Sequence, residues 1–214
     1  MSIFKGSKKL IKITGNNKTA KRIYYGSRLV YGTKVSRVLT YTSSGSVTIP
    51  NNTISCIVHV VGSGGSSGGV AGYAHEIHCA SGGGSAGYSR KQYGSSLSGQ
   101  KINFTVGAAI SNYCTNGQNS VFLSQIGGLG HGGIAATGAA SQAGGAGGTA
   151  SGGDINTNGT QGSTGSWVAA GGTGKGASGH TINGVQYGFG GSCTASGSPT
   201  SGSGCVIIEL IYWN

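Results

Sequence analysis

Short windows in which apolar and polar residues alternate are separated, along this chain, by long tracts of glycine and serine. Residues 38–61, VLTYTSSGSVTIPNNTISCIVHVV, alternate around a Ser-Gly and a Pro-Asn-Asn turn. That pattern predicts a β-hairpin or small meander, with Val47, Ile49, Ile54, Ile57 and Val60 facing a core. Residues 101–107, KINFTVG, supply a further strand. The segment CVIIELIYWN is strongly β-prone: Val206, Ile208, Leu210 and Tyr212 share one face, and Ile207, Glu209, Ile211 and Trp213 the other. It is expected to return and pair with the early strands. Before position 38, LIKITG and KRIYYGSRLVYG are related apolar-basic runs, each ending in glycine, that read as two short units of strands with tight turns.

Between these windows glycine takes over. Tracts such as GSGGSSGG, SGGGSAG, GGLGHGGIAATG, GGAGGTASGG and GGTGKGASG alternate with the islands YAHEIHC, DINTNGTQGSTGSW, HTINGVQY and SCTASGSP. Helix is excluded across 124–204 by propensity. With 46 glycines, and an apolar fraction of 36% made largely of Ala and Val, large side chains for a core are in short supply. Such composition without a Gly-X-Y period normally reads as disorder, but disordered chains are usually rich in charge and here charged residues are only 8%. The alternative is backbone packed on backbone in polyproline-II-type helices. These rise about 3.1 Å per residue, so a tract of about ten residues spans roughly 30 Å. The expected fold is mainly β and irregular with little or no α-helix: a small β-region plus a bundle, or sandwich, of glycine-rich polyglycine II helices, with the islands as loops at its ends. In this division residues 1–37 are a basic N-terminal segment with short strands and 38–214 a glycine-rich domain. Its β-region comprises 38–62, 101–107 and 205–214, and its bundle lies mainly in 124–204.

Charge changes the picture only at one end. The net charge is +11, yet ten of the fourteen Lys and Arg residues lie before position 38, from Lys5 to Arg37, with no acid among them. Such a segment could grip nucleic acid, but its interleaved Ile, Tyr and Leu favour folded strands that dock on an acidic protein. Five cysteines, Cys56, Cys79, Cys114, Cys193 and Cys205, are odd in number and form no CxxC pair, so at least one thiol is unpaired within the chain. No apolar leader or membrane-length run occurs, and the expectation is a soluble protein without membrane insertion, made in the cytoplasm.

Chemistry-bearing motifs are scarce. Gly128-Leu129-Gly130-His131-Gly132-Gly133 and Gly174-Lys175-Gly176-Ala177-Ser178-Gly179 satisfy G-x-G-x-x-G, and Gly64-Gly65-Ser66-Ser67-Gly68 and Gly83-Gly84-Ser85-Ala86-Gly87 the nucleophile-elbow pattern. Chance supplies such matches at this glycine content, and none opens a helix. His75-Glu76-Ile77-His78-Cys79 is the densest group of potential ligands, but its spacing is not that of a helical zinc motif, and a polar surface loop is the simpler reading. Only Glu76, Asp154 and Glu209 could serve as carboxylates, a poor supply for paired-carboxylate hydrolysis. The expectation is a protein that is not an enzyme, with no cofactor and no metal.

A specific resemblance lies in the order of the segments. Tyr41-Thr42-Ser43-Ser44-Gly45-Ser46-Val47-Thr48-Ile49-Pro50 through Val58-His59-Val60-Val61-Gly62-Ser63-Gly64-Gly65 looks like the opening of the glycine-rich domain of bacteriophage tail proteins. The strand ending in Val106-Gly107, the following Asn116-Gly117-Gln118-Asn119-Ser120, the repeated Gly-Gly tracts and the final apolar strand fit the same family, over about residues 39–214. Ile23-Tyr24-Tyr25-Gly26-Ser27-Arg28-Leu29-Val30-Tyr31 also looks like a short repeat of phage tail proteins. The chain is similar to the distal tail-fibre adhesins of T-even-type phages, although its N-terminal segment is shorter than their attachment domain. The resemblance implies a virion protein at the tail or tail-fibre tip, in which a polyglycine II bundle displays loops that bind an outer-membrane protein or lipopolysaccharide.

On this reading the receptor-contact candidates are Tyr73, His75, His78, Tyr88, Tyr93, Tyr113, His131, Asp154, Asn156, Asn158, Trp167, His180, Tyr187 and Phe189. Aromatic rings bury much area at small entropic cost. The same rings could instead cap the ends of the bundle, and both roles stay open. The islands 154–168 and 180–189 are expected to carry host specificity. Virion-attachment candidates, toward a tail-fibre or baseplate protein, are Lys8, Lys9, Lys12, Arg22, Tyr24, Tyr25, Arg28 and Tyr31. The rival functions are a structural fibre cap or baseplate decoration and, further off, a polysaccharide-cleaving tail enzyme.

Overall fold

The computed structural model describes residues 33–69, 81–135, 141–165, 174–192 and 199–214, together with the strand backbone of the first 31 residues. Among the described residues the chain is mainly β-strand with no helix.

The early segment holds three hairpins rather than two related units: β1 (Ile3–Lys5) with β2 (Lys8–Leu10), β3 (Thr14–Gly15) with β4 (Lys18–Thr19), and β5 (Ile23–Tyr25) with β6 (Arg28–Tyr31). In the sequence Ile3, Ile13 and Ile23 fall ten residues apart.

A β-sandwich follows. One sheet has the order β14-β10-β9-β17-β7, from β7 (Lys34–Tyr41), β9 (Thr53–Val61), β10 (Tyr88–Gln92), β14 (Ile155–Thr157) and β17 (Cys205–Trp213). The other has the order β13-β12-β11-β8, from β8 (Gly45–Thr48), β11 (Lys101–Thr105), β12 (Ser120–Phe122) and β13 (Gln125–Gly127). Every pair is antiparallel, and β17 returns to lie between β7 and β9 as its pattern predicts. Its two faces part as expected: Val206, Ile208 and Leu210 join Cys56, Val58, Val60, Phe104 and Phe122 between the sheets, while Cys205 and Ile207 face outward with Val61.

Two sequence expectations need correction here. The window 38–61 is not a local hairpin or meander: β8 pairs with β11 and β9 with β17 and β10, so the turn at Pro50-Asn51-Asn52 carries the chain from one sheet to the other. Asn52 takes a left-handed φ of 62° at that corner. Val47, Ile49 and Val60 are buried, but Ile57 shares the outward phase of His59 and Val61 and is only half-buried, as is Ile54. The β-region is also wider than 38–62, 101–107 and 205–214, since β10, β12, β13 and β14 complete its sheets.

Beyond one end of the sandwich the glycine tracts pack side by side. They run alternately out and back: 62–69 leaves β9 and 81–87 returns to β10; 107–110 leaves β11 and 114–118 returns to β12; 128–133 leaves β13 and 144–149 returns toward β14. Likewise 159–163 leaves after β14, 174–179 returns to β15 (His180–Ile182), 188–192 leaves β16 (Val185–Tyr187) and 199–204 returns to β17. A β-ladder reaches its neighbours at period two. Here the period is three. Gly62, Gly65 and Gly68 donate to Gly87, Gly84 and Ser81; Ser63 and Ser66 donate to Gln118 and Thr115; Gly64 and Ser67 donate to Gly202 and Pro199.

Tract 81–87 is the centre of this array, although it lies outside the 124–204 region where glycine is densest. Its N–H groups reach 159–163, 188–192 and 128–133, and its carbonyls accept from 62–69, 144–149 and 174–179, making six neighbours in all. Only glycine permits this spacing: a Cβ on Gly83 would strike the Gly65 carbonyl, and one on Gly84 the Ala146 carbonyl. Buried serines complete the network where a carbonyl is missing. Ser63 Oγ accepts from Gln118 N at 2.7 Å, Ser66 Oγ from Thr115 N at 2.9 Å and Ser85 Oγ from Thr160 N at 2.8 Å. Each of these backbone donors would otherwise lack that partner inside the array.

Candidate functional site

Two regions of this frame can meet a ligand: the far end of the tract array, and a cleft on the outer face of the five-stranded sheet. The far end is fixed by the tips of the outgoing and returning tracts. Gly68 donates to Ser81, Ser67 to Pro199, and Ile134 N to Ser81 Oγ at 2.7 Å. Cys114 N–H meets the Ser67 carbonyl, and Gln142 bridges Gly165. The positions from which the chain enters 70–80, 136–140, 166–173 and 193–198 are therefore gathered at one pole. Those four segments lie outside the described residues, and with them Tyr73, His75, His78 and Trp167.

The structure divides the remaining contact candidates. Tyr113 stands at the far pole, 38% exposed, with its ring over the Gly69 backbone. His131 is exposed on the flank of tract 128–133, and Phe189 covers Gly202 while staying partly exposed. The others sit at the sandwich. Tyr93 packs against the core beside Phe122, and Tyr88 lies on the outer sheet face. Asp154 precedes β14 and accepts from Gln92 N at 2.8 Å; Asn156 closes a local turn with Gly153; Asn158 Oδ1 accepts from Ala150 N at 3.1 Å. Tyr187 is 7% exposed within the outer cluster, so its expected contact role is corrected to packing. The islands 154–168 and 180–189 likewise do not project as two distal loops, because β14 and the β15–β16 hairpin hold their described parts against the sandwich.

Of the attachment candidates, Lys8 and Lys9 fall in β2, Tyr24 and Tyr25 in β5, and Arg28 and Tyr31 in β6, while Lys12 and Arg22 lie outside the described residues. This segment enters the sheet where Lys34 pairs with Trp213, at the end of β17 opposite Cys205 and the tracts. The molecule is therefore polar, with the basic hairpins joined at one end of the sandwich and the tracts at the other.

The cleft arises where the β15–β16 hairpin packs over Val61, Ala86, Cys205 and Ile207. Its volume is about 320 Å3, and it is lined by His59, Tyr88, His180, Thr181, Ile182 and Asn183. Register places His59 beside Arg90 on β10 and Ile207 on β17. His59 is 8% exposed, its Nδ1 lies 2.9 Å from the Tyr88 hydroxyl and its Nε2 3.5 Å from Glu209 Oε1. With a carboxylate before Nε2, the ring proton belongs there and Tyr88 donates to Nδ1. Burial lowers the His59 pKa, Glu209 opposes that shift and Arg90 adds to it. Burial also lowers the pKa of His180, whose Nε2 donates to the Ala86 carbonyl at 2.9 Å. Tyr88 and His180 set their rings 5.4 Å apart at 30°.

Sequence reasoning missed His59 as a site residue. The available signal was a histidine inside the apolar run Val58-His59-Val60-Val61, matched by the single acid of the closing strand, Glu209. Their meeting depends on a register that the sequence does not display. Among the described residues no group of three or more His, Cys, Asp or Glu side chains converges, and Cys56, Cys114 and Cys205 are free thiols. No protein-family model matches this chain, and no curated protein is detectably similar to it.

Proposed function

We propose that this chain is a bacteriophage tail or tail-fibre tip protein that binds a receptor on the bacterial surface by non-covalent adhesion, the glycine tracts forming a polyglycine II bundle. The observation that carries the reading is the period of three in the inter-tract hydrogen bonds, around a central tract with six neighbours. A polyproline-II-type helix has three residues per turn and no internal hydrogen bonds, so its successive N–H groups point to three different neighbours. Such a bundle is rigid and carries loops at its ends, which is the arrangement a recognition surface needs. The resemblance of its segment order to that of phage tail proteins suggests the biological context.

Polarity supports a division of labour. The hairpins of residues 3–31 are too short to be stable alone, and they carry eight Lys and Arg residues without an acid. They suit a docking segment for an acidic virion protein. The far pole, with Tyr113 and the chain entries to 70–80 and 166–173, is the receptor-facing end. No covalent chemistry is assigned: the Asp154 carboxylate is engaged by a backbone N–H, and Glu209 faces a histidine on a sheet.

The test is binding of purified, fluorescently labelled protein to intact candidate host cells, with purified outer-membrane protein and lipopolysaccharide as competitors. Saturable, competed binding is expected. Absence of binding to every host that the phage infects would replace this reading with a structural cap that touches only other virion subunits.

A further inference from the structure

We infer that the cleft between the β15–β16 hairpin and the outer sheet face is a second binding site, for a small neutral saccharide unit. The inference does not rest on the adhesin reading, since the cleft lies at the sandwich and not at the far pole.

The dimensions fit a small ligand. Ligand pockets begin at about 300 Å3, and this cleft has about 320 Å3. Its walls combine two kinds of surface. Tyr88 and His180, with ring planes only 30° apart, provide an aromatic side on which the C–H face of a sugar ring can lie. Thr181 and Asn183 provide the polar groups, with His59 in the wall beside them.

The polar groups also select the class of ligand. A threonine hydroxyl both donates and accepts, and an asparagine amide has separate donor and acceptor atoms. A partner made of hydroxyls, each able to donate and accept, can satisfy such a mixed set in several orientations. Charge gives no bias toward an ion: the nearest charged groups, Glu209 and Arg90, oppose each other around His59, whose buried ring is held toward its neutral form. Beneath the cleft, His59 Nε2 has no hydrogen-bond partner, because Glu209 stands 3.5 Å away. That distance leaves a weak contact that a small movement of the glutamate would strengthen.

The cleft is also preorganised. Asn183-Gly184 closes the hairpin in two residues, with φ of 51° and 79°, the left-handed conformations of a tight type I′ turn. Ile182 and Tyr187 anchor the hairpin in the outer cluster, and His180 ties it to tract 81–87 through the Ala86 carbonyl. Thr181 and Asn183 are thus presented by a fixed element, which reduces the ordering cost of binding.

The experiment uses the full chain labelled at histidine and titrated with glucose, galactose, mannose and N-acetylglucosamine, and with acetate and methylammonium as charged probes. At least one sugar should shift the ring resonances of His59 and His180 saturably and leave His131, on the tract flank, unmoved. Asn183→Gly removes the amide while keeping the left-handed turn, so it should fold normally and weaken that sugar by about fivefold, the loss of one net hydrogen bond. Tyr88→Phe keeps the ring and should shift the His59 resonance without sugar. Failure of all four sugars to move His59 and His180 overturns the inference, as does preference for either charged probe or an unchanged affinity in Asn183→Gly. Host-cell binding by Asn183→Gly separates the two proposals, because receptor binding at the far pole should be unaffected.

Discussion

Individual residues in this protein differ in function chiefly through what surrounds them. The three thiols of the described chain illustrate the point. Cys56 and Cys205 are buried, and desolvation raises their pKa to about 11 and about 12, whereas Cys114 is exposed at the far pole. A thiolate is the reactive form. Alkylation of the native protein at neutral pH, followed by peptide mass spectrometry, should therefore modify Cys114 first and leave Cys56 and Cys205 unmodified until denaturant is added. The buried His59 and the half-buried His180 act in the opposite sense on stability. Both have lowered pKa values in the folded state, so the unfolded chain binds more protons as pH falls below about 6.5. Their contribution is complete above that value and is lost as pH falls toward the folded pKa values. Denaturant midpoints should decrease between pH 7.5 and pH 5, and His180→Gln should flatten the decrease. Gly83 is among the residues tightly constrained by packing: an added methyl would strike the Gly65 carbonyl, and Gly83→Ala should cost about 1–3 kcal/mol or more in chemical denaturation. Gly94→Ala, at a positive φ with open space around it, should cost only the backbone strain, about 1–2 kcal/mol.

Among elements, the strands were legible where side chains alternate and the tracts only as a class. The two faces of Cys205–Trp213 could be read directly, because Val206, Ile208 and Leu210 obey the two-residue period of a strand buried on one side. Pro50-Asn51-Asn52 was legible as a turn but not as a crossing between sheets, since a turn signal does not say which strand receives the chain. Tract 81–87 could not be singled out as the centre. Its residues, SGGGSAG, resemble those of other tracts such as GSGGSSGG, and its position follows from hydrogen bonds between backbones. The cleft was partly legible: Tyr88 and His180 stood out as island residues, whereas His59 was hidden inside a strand. Where backbone does the packing, sequence reveals the material and leaves the arrangement to register.

At the scale of the whole molecule, the sandwich separates two ends, to which the proposed function gives different tasks. The basic hairpins enter at Lys34 beside Trp213, and the tracts leave from the opposite ends of β9 and β17. Deleting residues 1–32 should leave the denaturation midpoint of the remaining domain and its binding to host cells unchanged, while abolishing incorporation into virions. If the cell-binding activity travelled with the deleted residues, the assignment of the ends would be reversed. The most direct test of the central claim compares labelled full-length protein with two variants on host cells: one with residues 70–80 and 166–173 replaced by glycine-serine segments of equal length, the other with Asp154, Asn156 and Asn158 changed to Ala. Loss of saturable binding in the first and retention in the second, with both folded by circular dichroism, is the predicted result. Retention of full binding in the first variant would contradict it.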